Sequence, residues 1–524
     1  MDTSPTLELI IKLCETLAAQ GVDYCHWKSN TFLNRSASGE NDLDLLIHRA
    51  HAGRFEQILA TLGFKETHLP LSETLPGVRD FYGWDETSGR LVHVHAHYQL
   101  ILGNDLSKNY RLPIENAYLD SSIQKGLFRV PATEFELVVL VIRMTLKHST
   151  WDAMLMRHGQ LSQTERAELD DLAIGKNLST VDAVLQKLSL RRELFDLCLQ
   201  SIQPRCPFWT RVRAGERLQH ALRTCARRPH WFDVILKFTR RIWQPIQRRV
   251  VKIAPKNRFA NGGLLVAIVG GDGAGKTTVV EALRQTFAAK FAIETLHMGK
   301  PAWSWMTVLV RGFLKIGTLL HLYPFEGDVY EELEQSHGAP WFLRAVFTAR
   351  DRYLTYLRAR RLSTNGKIVI CDRYSLTGFM QMDGALCQSA LCRCEGDLPD
   401  TCPGGQCQGA TPSMGWRLLR REERPPRNDG NIVVKKKNRF LQSLADKEAR
   451  YYEQIHLPDL LIVLKLDPEI AVQRKAEETE TSVRARSSEV WRLSWEKVSG
   501  FEVDASKSRE ETLAQVMSIL WKHL

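Results

Sequence analysis

The chain has 524 residues, of which 44% are hydrophobic and 25% are charged, and its formal net charge is +11. This length and composition predict an ordinary globular protein with two or three domains. The acidic N-terminal stretch MDTSPTLELIIKLCETL lacks the basic start of a signal peptide, which predicts a cytoplasmic protein. The eleven cysteines are an odd number and imply no disulfide framework.

The first motif is HWKSNTFLNRSASGENDLDLLI, residues 26–47. Ser29 is followed, after twelve residues, by Asp42 and Asp44 on a predicted strand. Alternate residues of a strand share one face, so the two carboxylates could hold Mg²⁺ together. The alternative is a pair of acidic residues on an exposed strand edge.

This pattern resembles the nucleotidyltransferase fold, in which a small G-[GS] turn precedes D-h-[DE] on a strand. The resemblance implies an α+β nucleotidyltransferase-like domain over residues 1–150, with a second nucleotide site at Ser29, Asp42 and Asp44. Active members take a third carboxylate from a later strand, whereas RLVHVHAHYQL offers His93, His95 and His97 on one face. Histidine suits Mg²⁺ poorly, and Lys28 replaces the glycine of the turn. We therefore expect a degenerate or ligand-binding domain, and a transition-metal site on the three histidines stays open.

Residues 151–260 are expected to form a helical region and a basic connector. Between Arg205 and Arg258 fifteen Lys or Arg residues stand against Glu216 and Asp233, a local balance of +13. A solvated linker explains such a charge run. The interleaved aromatic residues, among them Trp231 and Trp243, favour contact with a membrane surface or a polyanion as the alternative, which would make the protein peripheral to the membrane.

The second motif is GGDGAGKTT, which follows the apolar run LLVAIV. It matches the phosphate-binding pattern G-x-x-x-x-G-K-[ST], in which backbone N–H groups curl around phosphates, the lysine neutralises the transferring group and the threonine hydroxyl binds Mg²⁺. The predicted ATP-binding residues are Gly270, Gly271, Asp272, Gly273, Ala274, Gly275, Lys276, Thr277 and Thr278.

Later stretches supply further groups for phosphoryl transfer. KIVICDRY ends a predicted strand with Asp372, a candidate Mg²⁺ ligand together with Thr277, and with Arg373, a candidate phosphate ligand. A preceding helix carries Arg350, Arg352 and Arg358. After PDLLIVLKLDPEIAVQRKAEE, arginines on a mobile segment could close over the triphosphate, or form a salt-bridged exposed helix instead. These candidate lid residues are Arg474, Arg484 and Arg486.

Together these stretches resemble the thymidylate kinase family of P-loop nucleoside monophosphate kinases. The resemblance implies a three-layer α/β domain with a parallel sheet over residues 261–524, in which MgATP phosphorylates dTMP to dTDP. It implies Lys276, Asp372 and Arg373 as catalytic residues and Asp272, Arg350, Arg352 and Arg373 as acceptor ligands. The family's R-E-P-G loop is replaced by HMGKP, residues 297–301, so ATP use is better supported than thymidylate as acceptor.

Two segments depart from the family pattern. The apolar run at residues 302–325 contains Arg311 and Lys315, which interrupt it too early for a membrane span. We expect a buried or groove-lining helix, with an interfacial membrane helix as the alternative. An insert at about residues 386–437 contains five cysteines and no periodicity, and we expect an irregular loop. The alternative function is a nucleotide-sensing scaffold that docks on a membrane or a glycan-assembly system. Nucleotides are the expected small-molecule partners, and a homodimer is a further alternative.

Overall fold

The chain forms two compact units, Met1–Asn261 and Gly262–His523. The structure is a computed structural model, and it describes residues 5–70, 74, 77–156, 160–174, 178–249, 256–320, 339–376, 439–474 and 480–524. Each unit has its own sheet and hydrophobic core.

The first unit contains a mixed sheet. Its strands are β1 Tyr24–His26, β2 Leu43–Ile47, β3 Lys65–His68, β4 Val78–Asp85, β5 Arg90–His97, β6 Leu100–Leu102, β7 Tyr110–Leu112, β8 Ile123–Lys125, β9 Phe128–Val130 and β10 Arg258–Phe259. Six of them form one sheet in the order β1-β2-β5-β4-β3-β10, in which only β2 and β5 run parallel. The short strands β6 with β7 and β8 with β9 form two separate antiparallel pairs.

Helices pack around this sheet in the first unit. They are α1 Glu8–Ala19, α2 Leu33–Ala37, α3 Ala52–Thr61, α4 Glu115–Asp120, α5 Thr133–His148, α6 Trp151–Met156, α7 Gln163–Ala173, α8 Leu178–Lys187, α9 Arg192–Ser201, α10 Phe208–Ala221 and α11 His230–Arg249. One core joins α1 and α3 to the apolar face of β5. A second core joins Cys25 and Trp27 to helices as far along the chain as Leu222. The boundary that the sequence suggests at residue 150 therefore falls inside a shared core.

Alternation in β5 separates a polar from an apolar face. Val92, Val94 and Ala96 are almost fully buried, whereas His93 and His95 on the other face are partly exposed. The structure confirms this division, which follows from the two-residue period of a strand. The histidines consequently lie outside the apolar core that packs against α1 and α3.

Helix α11 reverses the usual arrangement of a surface helix. Its buried face carries the ion pair of Lys237 Nζ with Asp233 Oδ2 at 2.8 Å, and both residues are at most 2% exposed. Six of its large apolar side chains are exposed, at spacings that include i, i+4 and i+7, whereas Val234, Leu236 and Phe238 are half-buried. The exposed set is Trp231, Phe232, Ile235, Ile242, Trp243 and Ile246.

The second unit contains a parallel sheet. Its strands are β11 Leu264–Gly270, β12 Ile293–His297, β13 Ile368–Asp372, β14 Leu460–Lys465 and β15 Gly500–Asp504. They lie in the order β12-β13-β11-β14-β15, and every neighbouring pair is parallel. The central strands are apolar on both faces because helices cover both sides, as is typical of α/β proteins. This is the coarse fold that the sequence predicts for residues 261–524.

The helices of the second unit alternate with these strands. They are α12 Lys276–Ala288, α13 Trp305–Leu319, α14 Ala339–Thr364, α15 Arg439–Glu453, α16 Pro468–Arg474, α17 Glu480–Arg492 and α18 Arg509–His523. Trp305, Phe313 and Leu319 of α13 are more than two-thirds exposed, so the expectation that this helix is buried is wrong. The groove-lining helix stays a prediction. The cysteine-containing insert at residues 386–437 lies outside the described residues.

Within the described part of the chain, no helix has the length and apolar content needed to cross a membrane. The described cysteines are all free thiols: Cys14, Cys25, Cys198, Cys206, Cys225 and Cys371.

Candidate functional site

The loop after β11 has the backbone of a phosphate cradle. Gly273 and Gly275 have φ angles of +76° and +82°, which residues with a side chain rarely adopt. Gly275 is the N-cap of α12, so the helix begins at Lys276 with its free N–H groups turned toward the loop. Lys276 Nζ donates to the carbonyl oxygens of Gly270 at 3.0 Å and Gly271 at 2.8 Å. This geometry suits an anion at the end of β11, and the ATP-binding role of the loop stays a prediction.

Strand β13 carries the next two predicted residues to the same region. Asp372 is in register with Ile268 of β11, so the ends of the two neighbouring strands lie side by side. The Nη2 atom of Arg373 lies 4.0 Å from Asp272 Oδ1 in the P-loop. The structure therefore brings Asp272, Asp372 and Arg373 together at the carboxyl end of the sheet, where ligands of parallel α/β sheets bind.

Arg373 has an unusual backbone. Its φ is +56°, in the left-handed region that costs a residue with a side chain free energy. The turn directs its guanidinium toward the HMGKP loop, because a Cβ built on Gly299 would lie only 3.0 Å from Arg373 Cδ. A side chain at position 299 would therefore crowd both Arg373 and His297, whose Cε1 would also lie 3.0 Å from the added Cβ.

The two predicted acceptor arginines of α14 lie in different environments. Arg350 Nη1 donates to Ser304 Oγ at 2.9 Å and is partly exposed. Arg352 is only 1% exposed, and its guanidinium donates to the Tyr452 hydroxyl at 2.7 Å and to the Gly299 carbonyl at 3.4 Å. Arg352 therefore supports the HMGKP loop from inside the core. Arg350 lies beside the segment that follows that loop.

The predicted lid residues lie around α16 and α17. Arg474 Nη1 donates to the Ala505 carbonyl at 3.2 Å. Arg484 Nη2 pairs with Glu469 at 2.8 Å and Glu480 at 2.9 Å on an exposed surface. Arg486 lies on α17, and its side chain is outside the described atoms. The lid role of these three arginines stays a prediction.

One residue of α17 contacts the P-loop directly. A Cβ built on Gly271 would lie 2.7 Å from Ser487 Oγ and 3.0 Å from Ser487 Cα. Ser487 is 1% exposed, and its hydroxyl has no hydrogen-bond partner among the described residues. The helix of the predicted lid therefore lies against the predicted phosphate loop. Sequence reasoning missed Ser487, because a serine within a charged helix carries no motif.

The first unit has a second polar cluster around two histidines of β5. His93 Nδ1 and His95 Nε2 lie 3.0 and 3.3 Å from the two oxygens of Asp42. Their other ring nitrogens lie 3.2 and 2.6 Å from Asp80 Oδ1 on β4. Burial opposes a charge on His95, but hydrogen bonds with Asp42 and Asp80 outweigh it and raise the pKa of His95 to about 9. Burial would raise the pKa of Asp42, yet both histidines lower it well below the ordinary value.

Asp44 faces a different set of partners. Lys28 Nζ lies 2.8 Å from Asp44 Oδ1, and His97 Nε2 lies 3.3 Å from the same oxygen. Burial opposes the charge of Asp44, but Lys28 is the main influence that lowers its pKa well below the ordinary value. Burial dominates at His97 and lowers its pKa to about 4. Asp42 and Asp44 are thus each neutralised by side chains of this chain.

The Ser29 turn is held by carboxylates rather than left open. The Ser29 N–H donates to Glu168 Oε1 at 2.9 Å, and the Asn30 N–H donates to Glu136 Oε1 at 3.4 Å. Both glutamates are nearly buried. In this arrangement the turn amides that a triphosphate would need are directed at acidic groups, which favours the expectation of a degenerate transferase domain.

The fold and loop of the second unit define a coarse class, an α/β protein with a parallel sheet and a glycine-rich loop of the P-loop pattern. No family model and no curated protein sequence matches the chain. Among solved structures it is similar to a thymidylate kinase from Candida albicans, with 16% identity and a TM-score of 0.27. That match covers 50% of this chain and 94% of the Candida albicans chain.

Proposed function

We propose that the second unit is an ATP-dependent kinase that phosphorylates a nucleoside monophosphate, with dTMP as the first candidate. The observation that carries the proposal is the juxtaposition of the Lys276 loop with Asp372 and Arg373 at the ends of two adjacent parallel strands. Phosphoryl transfer needs positioned cations and a phosphate cradle more than covalent chemistry. These residues supply both.

Each side chain has a distinct part in this proposal. Lys276 would exchange the carbonyls of Gly270 and Gly271 for phosphate oxygens, since an ammonium group binds charged oxygens more strongly than neutral carbonyls. Asp272 and Arg373 would face the acceptor, where Arg373 can bind phosphate with two parallel N–H donors. Arg350 would contribute a further cation beside Ser304.

The residues present also suit Mg²⁺. Asp372 Oδ1 is buried and accepts no hydrogen bond from the described residues. Thr277 is exposed in the first turn of α12. A carboxylate and a hydroxyl are the hard oxygen ligands that Mg²⁺ prefers, and the ion would neutralise charge on the transferring phosphoryl group.

A coupled ADP-release assay with full-length protein tests the proposal. A panel of nucleoside monophosphates and sugar phosphates is supplied with MgATP, and dTMP is expected to give the highest rate. Sugar phosphates serve to detect an acceptor outside the proposed class. The absence of ADP formation with every nucleoside monophosphate would contradict the kinase assignment.

We also propose that α11 binds the surface of an anionic membrane. Its exposed face carries Trp231, which is 65% exposed, and Trp243, which is 56% exposed. The surrounding segment, residues 205–258, has a net charge of +13. Tryptophan prefers the interface of a bilayer, and each basic residue near an anionic surface adds about 1 kcal/mol of attraction. A soluble linker would bury its apolar face and expose its ion pair, which is the reverse of α11.

Vesicle flotation tests this second role. Full-length protein should float with vesicles that contain phosphatidylserine and not with phosphatidylcholine vesicles. The W231A/W243A double variant should lose about tenfold in partitioning, whereas W151A, an exposed tryptophan on α6, should float like wild type. Equal flotation of both variants, or retention on heparin without vesicle binding, would overturn the proposal.

A further inference from the structure

The cluster on β5 has the donor set of a transition-metal site. Asp42, His93 and His95 each offer one ligand atom, and these atoms all lie within 4.8 Å of one another. Two imidazoles with a carboxylate suit zinc, iron or cobalt, whereas Mg²⁺ and Ca²⁺ prefer oxygen alone. The cluster therefore differs in chemistry from the oxygen-rich site that Asp42 and Asp44 suggest in the sequence.

The two imidazole–carboxylate distances, each to a different oxygen of Asp42, are close to the spacing of four-coordinate geometry. A metal with bonds of about 2.0–2.1 Å places neighbouring ligand atoms about 3.3 Å apart at the corners of a tetrahedron. His93 Nδ1 lies 3.0 Å and His95 Nε2 lies 3.3 Å from Asp42 oxygens. His93 Nδ1 is also buried and makes no hydrogen bond of acceptable geometry. The same atoms can thus accept a cation with small shifts of the side chains.

Asp80 supplies the outer support that metal-binding histidines require. It approaches His93 Nε2 at 3.2 Å and His95 Nδ1 at 2.6 Å, which are the ring nitrogens turned away from Asp42. A carboxylate in this position accepts both N–H groups and leaves the lone pairs of His93 Nδ1 and His95 Nε2 directed at the site. Register fixes the arrangement, since Asp80 and His95 are opposite one another on β4 and β5.

The ring of His93 is also held from its other side. It stacks on Tyr82 with ring centroids 4.0 Å apart and an angle of 7° between the planes. Asn257 Nδ2 donates to the Tyr82 hydroxyl at 3.1 Å, which fixes the tyrosine in turn. The exposed fraction of the side chains falls from 43% at Asp42 to 11% at His93, so an ion has an entry path through the Asp42 side.

We propose that Asp42, His93 and His95 bind one divalent transition-metal ion, with Asp80 as the carboxylate that orients both histidines. Three protein ligands leave one coordination position open on the exposed side of Asp42 for water or a substrate oxygen. This inference concerns the first unit and does not depend on kinase activity in the second.

Zinc titration of untagged, chelator-treated full-length protein tests the proposal. Wild type should bind one Zn²⁺ ion per chain at a site that H93Q/H95Q lacks. D80N should still bind one ion at that site, with an affinity about 10–100-fold lower. H68Q is the matched control, since His68 is an exposed histidine on β3 of the same sheet. Excess Mg²⁺ should not displace zinc from this site.

Cobalt provides a readout that does not depend on affinity. Co²⁺ bound by two imidazoles and a carboxylate in four-coordinate geometry should give strong visible absorption in wild type and in H68Q, and not in H93Q/H95Q. Zinc binding that is equal in wild type and the double variant would overturn the proposal. So would wild-type protein that takes up neither metal, a result that needs no folded variant.

Discussion

The guanidinium of Arg373 lies 4.0 Å from the carboxylate of Asp272, which links the end of β13 to the P-loop. Asp272 is the one acidic residue within GGDGAGKTT, and its side chain is only 14% exposed. The left-handed backbone of Arg373 directs the guanidinium toward Asp272 and Gly299. The proposed acceptor site and the proposed phosphate loop therefore meet at this pair.

Replacing Asp272 with Asn should weaken acceptor use and leave ATP binding largely intact. The amide keeps the size of the side chain but removes the negative charge that positions Arg373, so we expect about a 10–100-fold loss in kcat/KM for the acceptor. The KM for ATP should change by less than about threefold. Steady-state kinetics with each substrate varied in turn measures both. An equal loss for ATP and acceptor would show that Asp272 serves the triphosphate instead.

Gly271→Ala should destabilise the contact between the P-loop and α17. The added Cβ would lie 2.7 Å from Ser487 Oγ, and overpacking of this kind costs about 1–3 kcal/mol. Ser487→Gly should recover part of that loss, because Ser487 Cα at 3.0 Å remains close. A double-mutant cycle in thermal unfolding gives the coupling energy. Additive effects of the two substitutions would mean that α17 does not press on Gly271.

Arg350→Ala and Arg352→Ala should have separable effects. Arg352 is buried and donates to Tyr452, so its loss should lower the free energy of unfolding by about 2–3 kcal/mol. Arg350 donates to Ser304 at the edge of the site, so its loss should raise the acceptor KM with little change in stability. Urea unfolding and acceptor kinetics on both variants distinguish the roles. A stability loss at Arg350 that matched the loss at Arg352 would contradict the division.

The stability that Glu136 contributes to the first unit should be lost as pH rises from about 4.5 to 7, whereas the depressed pKa of His97 acts in the opposite direction. Burial, with a smaller contribution from the Glu168 carboxylate, raises the pKa of Glu136 to about 7, although Asn30 hydrogen bonds oppose the shift. The folded state therefore retains a proton that the unfolded chain releases near pH 4.5, and stability on the order of 3 kcal/mol is lost as pH rises through this window. The difference in free energy of unfolding between wild type and Glu136→Gln, measured by urea unfolding of the full chain, should therefore decrease across this window. If the free energy of unfolding followed parallel pH profiles in wild type and E136Q, the stability contribution of Glu136 would be contradicted.

Several features of the candidate sites follow from local sequence. The loop Gly270–Thr278 is a contiguous motif, and Asp372 and Arg373 end a strand whose apolar residues mark it as buried. The face shared by His93 and His95 follows from strand alternation alone. In each case the geometry depends on residues that are close together in the chain, so these features can be predicted from the sequence alone.

Other features depend on contacts that sequence patterns do not encode. Asp80 reaches the histidines only because β4 pairs with β5 in a register that puts it opposite His95. Arg352 looks like any other arginine of a charged helix, yet its burial results from the packing of α14 against Tyr452. The shared core that extends to Leu222 likewise arises from long-range packing, so the expected domain boundary at residue 150 does not reveal it.

The most direct test of the kinase assignment is ADP release with dTMP and MgATP by wild type, K276A and K290A. Lys290 is an exposed lysine two residues past the end of α12, which makes it the matched control for loss of charge. Wild type and K290A should release ADP at similar rates. The rate for K276A should be at least about 100-fold lower, because the charge on the phosphates is no longer neutralised. Equal ADP release by wild type and K276A would contradict the account.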